Sequence, residues 1–262
     1  MPEITPPPEI TPPPEITPKT IPEKNTVIII GSGLAGLSAG RALQQAGHKV
    51  LILDKGRRIG GRMSTRRADG FLFNHGAQFI TARSASFRAV CEAAEAAGAL
   101  ASWPLDGRED ALSGTPSMRG LAAFMGQGLP IEQQVEIDSI ERIGGRIELG
   151  LSGQKKYSCQ HLLVTCPAPQ TARLLATSAP ALAAAAAEVV YAPSWTVMAG
   201  FSEPLDLPPA PVQTATDKLG WATYEALRPG AGGPAALTLQ ATAAFSAAHL
   251  EDPHEDICNA LI

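Results

Sequence analysis

The sequence predicts an α/β fold built on a parallel βαβ unit, with a smaller mixed-sheet part beside it. Three observations carry this expectation. Val27, Ile28, Ile29 and Ile30 form a short, uninterrupted apolar run, as a parallel strand buried on both faces requires. A glycine-rich turn, Gly31-Ser32-Gly33-Leu34-Ala35-Gly36, follows at once and opens a helix-forming stretch. A second apolar run, Val50, Leu51, Ile52 and Leu53, closes on an acid, Asp54. Strand, helix and parallel strand in about thirty residues make one βαβ unit.

The elements follow in order. Residues 1–24 repeat Pro-Glu-Ile-Thr from Pro2, Pro8 and Pro14. Proline fixes φ and removes an amide donor, so this segment is expected to be an extended, disordered tail. It reads as a plain spacer, or as a docking peptide for a proline-recognising partner. The helix of the βαβ unit is expected over 37–46 with Gly47 as its cap, and the second strand over 48–53. Downstream, 86–97 reads as a helix capped by Gly98, and 117–126 as another after the turn Gly114-Thr115-Pro116. Residues 132–140 and 146–151 read as strands joined through Gly144-Gly145, a hairpin signal. A buried strand is expected over 161–165, helices over 171–175 and 179–189, and strands over 195–201 and 237–242. Residues 252–262 read as an amphipathic helix with Ile257, Leu261 and Ile262 on one face. It ends without a cap, as a chain cut short would.

Composition bounds the function. Hydrophobic residues make up 45% of the chain and charged residues 18%, enough to bury a sizeable core. A net charge of −4 argues against nucleic acid or an anionic membrane as partner and leaves a small-molecule substrate. Cys91, Cys159, Cys166 and Cys258 are widely spaced, with no metal or disulfide pattern, and read as ordinary buried thiols. No signal peptide or apolar stretch of about 20 residues is visible, so a soluble cytoplasmic protein is expected.

The turn 31–36 matches G-x-G-x-x-G in the right context, between a strand and a helix, with Asp54 about twenty residues on. Gly31 permits the tight turn, Gly33 lets a pyrophosphate approach the backbone, and Gly36 lets helix and strand pack closely. The helix start offers unpaired N–H groups and a positive dipole end. Asp54 can accept from ribose hydroxyls and would repel a 2′-phosphate, which favours FAD or NAD over NADP. Arg58-Ile59-Gly60-Gly61-Arg62 then adds a second close backbone pass with two guanidinium groups, which a plain NAD-binding protein does not need. The bland alternative is a basic surface loop made by Arg57, Arg58, Arg62, Arg66 and Arg67.

These segments resemble the renalase-like branch of the flavin-containing amine oxidase superfamily. The resemblance extends through Met63-Ser64-Thr65 and Phe73-Asn74-His75-Gly76-Ala77-Gln78-Phe79-Ile80-Thr81-Ala82-Arg83. Further segments are Gly114-Thr115-Pro116-Ser117-Met118, Val164-Thr165-Cys166-Pro167-Ala168-Pro169-Gln170 and Ala192-Pro193-Ser194-Trp195. The resemblance runs from Thr26 to the end and implies a Rossmann-type FAD-binding domain with a smaller substrate domain, C-terminally truncated. It implies non-covalent FAD, held by 31–36, Asp54, Lys55, Arg58 and Gly60-Gly61-Arg62. The backbone of His75, Gly76, Ala77 and Gln78 would lie near the isoalloxazine ring, and the strand Val135-Glu136-Ile137 would meet adenine. His75 as a base, Gln78 as a donor to flavin or substrate, Arg83 as an anion holder, and Trp195 and Trp221 as pocket walls are further candidates. His48 and His161 read as structural.

The implied chemistry is hydride transfer from a dihydronicotinamide-type donor to FAD with reoxidation by oxygen. Rivals are an amine oxidase of the same superfamily, or a truncated nucleotide-binding chain without turnover. Relatives continue beyond the position of Ile262 to a helix over the flavin, so weakened FAD retention is expected. The chain is divided into a tail (1–24), an FAD-binding βαβ unit with its GG motif (26–85) and a helical part of the substrate domain (86–130). A return to the FAD-binding domain (131–190) and an incomplete substrate domain (191–262) follow.

Overall fold

The structure, a computed structural model, describes residues 26–206 and 216–262; the repeats expected to form a disordered tail lie outside them. In chain order the elements begin with β1 (Val27–Ile30), α1 (Leu34–Gln45) and β2 (Val50–Asp54). The hairpin β3 (Arg66–Ala68) and β4 (Phe71–Phe73) follows, then α2 (Ala85–Ala96), β5 (Leu100–Ser102), β6 (Leu112–Gly114), α3 (Gly120–Gly126) and β7 (Ile131–Gln133). Next come β8 (Ser139–Ile143), β9 (Arg146–Leu151), β10 (Gln154–Cys159), β11 (His161–Val164), α4 (Ala168–Leu175) and α5 (Pro180–Ala187). The last are β12 (Thr196–Gly200), β13 (Leu219–Tyr224), β14 (Ala236–Ala241), α6 (Ala243–Ala248) and α7 (His254–Leu261).

The central sheet is parallel, in the order β11-β1-β2-β7, with Val27 opposite both Val50 and His161. Successive side chains of a strand point to opposite faces, and both faces here are covered. Val27, Ile29, Val50 and Ile52 face Leu37, Met118, Leu121 and Met125 on the helical side. Ile28, Ile30, Leu51 and Leu53 face Ile140, Ile147, Leu149 and Tyr157 of the antiparallel sheet β10-β9-β8, with Leu175. Two covered faces explain why these strands read as continuous apolar runs rather than alternating ones. A separate antiparallel sheet, β12-β14-β13, packs Val197, Leu239 and Ala241 on Phe245, Ile257 and Leu261 of α6 and α7.

Several boundaries differ from expectation for identifiable reasons. The first helix starts at Leu34, because Gly33 is its N-cap with extended backbone, and the expected second strand begins only at Val50. The segment expected as one strand over 132–140 is broken. Gln134 adopts φ +63, so β7 ends on the parallel sheet and β8 begins a different one. Val135, Glu136 and Ile137 therefore lie between strands, although Val135 N–H still donates to the Asp54 carbonyl (2.9 Å). The hairpin through Gly144-Gly145 is present. Helix α3 starts at Gly120, since 117–120 closes a turn through Gly120 N–H to the Ser117 carbonyl (2.8 Å).

Residues 86–130 pack in two directions: Trp103, Leu105 and Ala111 cluster with Trp221 of β13. Cys91, Ala94, Leu100, Met118, Leu121 and Met125 share one core with β1, β2 and α1. In α7, Ile257 and Leu261 are buried as expected, but Ile262 is 72% exposed. Of the cysteines, Cys91 and Cys159 are buried, whereas Cys166 and Cys258 are only half-buried. His48 and His161, expected as structural, are exposed.

Candidate functional site

The site begins where β1 ends. Gly31 takes φ +107, and a Cβ there would stand 2.8 Å from Thr165 Oγ1. A Cβ on Gly36 would stand 1.9 Å from the Gly31 carbonyl oxygen, so only glycine lets α1 start this close to the turn. Gly33 is different: a Cβ there would meet nothing within 4 Å. No packing within the protein demands glycine at this position, and the open face lies at the N-terminus of α1. That helix has no acidic residue in its first turn, and the first N–H groups of a helix have no intrahelical acceptor. Leu34 is half-buried and Ala35 exposed at this end. Ser32 is fully buried, and its Oγ has no hydrogen-bond partner.

Asp54, at the end of β2, reaches the same loop. One carboxylate oxygen accepts from Ser32 N–H (2.6 Å) and the other from Gly56 N–H (2.6 Å). An ionised carboxylate has about four acceptor positions, so two such bonds leave capacity for a ligand hydroxyl. Lys55 pairs with Glu136 at 3.5 Å, both side chains being exposed. Ile137 is buried beneath this segment, in the cluster that contains Leu51 and Leu53.

The second glycine turn is seated on the first. Gly60 (φ +117) donates to the Ser32 carbonyl (3.0 Å), and a Cβ on Gly61 (φ +52) would lie 3.3 Å from Gly33 Cα. Arg62 is exposed, with its guanidinium 5.8 Å from the Tyr191 ring centroid. Its carbonyl oxygen accepts from Ala77 N–H (2.9 Å), and a Cβ on Gly76 would stand 2.0 Å from that oxygen. The segments 31–36, 60–62 and 75–77 are thus joined backbone to backbone, and 54–56 through the Asp54 carboxylate, beyond the C-terminal ends of β1 and β2. In open parallel sheets this is the end at which ligands bind. Arg58 does not join them through any contact of its side chain; it lines a separate cleft with Arg67 and Arg119.

His75 is half-buried, with Nε2 3.2 Å from Ser64 Oγ. Burial, and then the charges of Arg66 and Arg119, push its pKa below the ordinary value of 6.5, so the imidazole is neutral at pH 7. Gln78 is buried and its side chain is committed within the protein. Nε2 donates to the carbonyls of Asn74 (2.6 Å) and Gly76 (3.0 Å), while Oε1 accepts from Thr223 and Arg228. This leaves Gln78 as a clamp on the loop rather than a free donor. Trp221 is a core residue packed on Phe79, and Trp195 donates through Nε1 to the His249 carbonyl (2.9 Å). Both indole N–H groups are bonded within the protein, that of Trp221 to Thr223 Oγ1. Arg83 is exposed.

Sequence reasoning missed the group that holds this loop. Glu225, 4% exposed, accepts from Asn74 N–H (2.8 Å), Asn74 Nδ2 (2.8 Å), Arg228 Nε (2.8 Å) and Thr238 Oγ1. Arg228, equally buried, also donates to the Gln78 carbonyl (2.6 Å) and lies over the Trp103 ring at 4.5 Å. Gln240 Nε2 adds a bond to the Gly76 carbonyl (2.8 Å). The only trace in the sequence was a Glu and an Arg three positions apart, the pattern of an ordinary surface pair. Among the described residues there is no cluster of three or more His, Cys, Asp or Glu side chains able to hold a metal. No helix among the described residues is long and apolar enough to cross a membrane.

Comparison with known proteins agrees with this geometry. A family profile described as an NAD(P)-binding Rossmann-like domain matches residues 29–94. The chain is 44% identical over 66 residues to an L-amino-acid oxidase from Siganus canaliculatus, covering 24% of this chain and 12% of that protein. It is 39% identical over 59 residues to a 4,4'-diapolycopene oxygenase from Methylomonas sp, covering 22% and 12%. The match therefore spans about an eighth of the length of these curated relatives. Among solved structures, a putrescine oxidase double mutant redesigned in cofactor binding superposes with a TM-score of 0.69 at 11% identity, over 89% of this chain and 79% of that one. The chain has an α/β fold with a Rossmann-type nucleotide-binding unit, in the overall arrangement of that oxidase.

Proposed function

We propose that this chain is an FAD-dependent oxidoreductase of the flavin amine oxidase type. Its donor would be an electron-rich, dihydronicotinamide-type small molecule, and dioxygen its electron acceptor. The observation that carries the reading is the open face of Gly33, flanked by the partnerless buried Ser32 Oγ and backed by the Gly60-Gly61 turn. A diphosphate there would meet the α1 amides and the Ser32 hydroxyl. Arg62, exposed at the end of the second turn, would supply counter-charge.

FAD, when bound, would supply the redox chemistry, a hydride acceptor for the donor and a two-electron, two-proton route to dioxygen that yields hydrogen peroxide. The chain's own residues bind and orient. Asp54 accepts a ribose hydroxyl on its remaining lone pairs and disfavours a 2′-phosphate. The backbone of His75, Gly76, Ala77 and Gln78 forms a wall whose position is fixed by Glu225, Arg228 and Gln240. His75 is neutral and acts by shape rather than charge. We assign nucleotide binding to 26–85 with 131–190, and substrate contacts to 191–262.

The renalase-like motifs favour the dihydronicotinamide donor. The likeness to L-amino-acid oxidase and putrescine oxidase keeps an amine donor as the second reading. The test is an absorption spectrum of the purified chain, followed by anaerobic addition of dihydronicotinamide isomers and of a panel of amines. Flavin bands that bleach with the first set support the proposal. Bleaching only with amines selects the second reading, and bands absent even after reconstitution with FAD refute both.

A further inference from the structure

The turn that carries Gly60 and Gly61 has two sides. Gly61 faces Gly33, whereas a Cβ on Gly60 would face Arg119 Cγ (3.5 Å) and Ala122 Cβ (3.4 Å). On this second side Arg58, Thr65, Arg67, Thr115, Ser117 and Arg119 line a cleft of about 360 Å³. It is distinct from the open face of Gly33, which none of its lining residues includes.

The cleft holds three guanidinium groups and no carboxylate. Among the described residues, none of the three makes an ion pair. Arg119 is half-buried and anchored by Nη2 donating to the Thr65 carbonyl (2.7 Å), yet its Nε is buried with no acceptor. Thr115 Oγ1 is likewise buried without a partner. Burial, then Arg58 and Arg67, disfavour the charge on Arg119. In a chain of net charge −4, acidic residues were available to neutralise this cluster, and none is placed there. Like charges held together in a concave, hydroxyl-bearing cleft are complementary to an anion of two charges and several acceptor oxygens.

We propose that this cleft binds the phosphate group of a small phosphorylated molecule, with Arg58, Arg67 and Arg119 as the charged donors and Thr115 and Ser117 as the hydroxyls beside them. The volume admits a phosphate and a small organic group. The inference goes beyond the nucleotide reading and does not depend on it, because the site lies on the other side of the turn.

The experiment is isothermal titration of the full chain at low ionic strength, saturated with FAD, using inorganic phosphate and phenyl phosphate as probes. The same titration is run on Gly33→Asp, which places a carboxylate on the nucleotide loop and reads the cleft even if the chain holds no flavin. Saturable binding is expected in both. It should weaken by about tenfold or more in Arg67→Gln and in Arg119→Gln, since each removes a charge-assisted contact. Arg67 is exposed, so its variant keeps the test intact should Arg119→Gln unfold. Tighter binding of phenyl phosphate identifies an organic monoester as the ligand, and equal binding identifies free phosphate. No saturable binding, unchanged affinity in Arg67→Gln, or binding abolished by Gly33→Asp would each overturn the proposal.

Discussion

Replacing Glu225 by alanine probes how the loop 74–78 is held. The carboxylate is 4% exposed and takes four hydrogen bonds, two of them from Asn74 and one from the equally buried Arg228. The variant leaves a buried guanidinium without counter-charge, and breaking a buried pair from one side costs about 3–5 kcal/mol. For a chain of this size that corresponds to a fall in midpoint of roughly 6–20 °C. Arg228→Met should cost a comparable amount, since it strands the carboxylate and removes the donor to the Gln78 carbonyl. The double variant leaves no uncompensated charge. Its cost should therefore be less than the sum of the singles by about 1–3 kcal/mol, the coupling expected of contacting residues. The cycle is measured by denaturant unfolding of the four chains. Additivity to within about 0.5 kcal/mol, or a single-variant cost near the ~1 kcal/mol of an exposed pair, would refute the idea that this ion pair is the clamp.

Four further outcomes are expected. Gly36→Ala should destabilise by at least ~3 kcal/mol, because its Cβ would overlap the Gly31 carbonyl. Gly33→Ala, with open space before it, should leave the unfolding midpoint nearly unchanged while weakening flavin retention, which a thermal melt and an absorbance ratio would separate. His75 has a folded pKa below 6.5, so the unfolded state binds the extra proton first. Its contribution to stability is complete above pH 6.5 and is lost as pH falls toward the folded pKa. Melts at pH 7.5 and 5.5 should show a smaller acid loss in His75→Gln, and an equal loss would count against the assignment. The Cys159 thiol, buried and pushed up to about 11, should resist alkylation in the native chain at pH 8. Half-buried Cys258 should be labelled first, as peptide mapping by mass spectrometry would show.

The parts of the molecule legible in sequence are those whose physics is local. A parallel strand covered on both faces must be apolar at every position, so β1 and β2 announce themselves, and one of the intervening glycines is required by a contact only a few residues away. Gly36 against the Gly31 carbonyl is that contact. The hairpin at Gly144-Gly145 is of the same kind. The short strands β5 and β6, and the longer β13, carry no comparable signal. Three-residue pairings leave no period to read, and β13 is placed by pairing with β14 rather than by its own pattern.

The clamp on the candidate site is illegible for a different reason. Glu225 and Asn74 are 151 positions apart, and glutamate is so seldom fully buried that its identity argues for the surface. What reverses that prior is a set of donors converging from β14, from the 225–228 turn and from the loop after β4, and their convergence exists only in the folded chain. In the glycine turns Gly36 answers to the Gly31 carbonyl and Gly61 to Gly33 Cα, with Gly33 left open between them. The loop beside them is seated on the second turn where Gly76 meets the Arg62 carbonyl, and its other side is held by a polar network rooted in the β12-β14-β13 sheet. A perturbation in that sheet should therefore reach the open face of Gly33 through Glu225, Asn74 and the Ala77–Arg62 backbone bond, without any change in the βαβ unit itself.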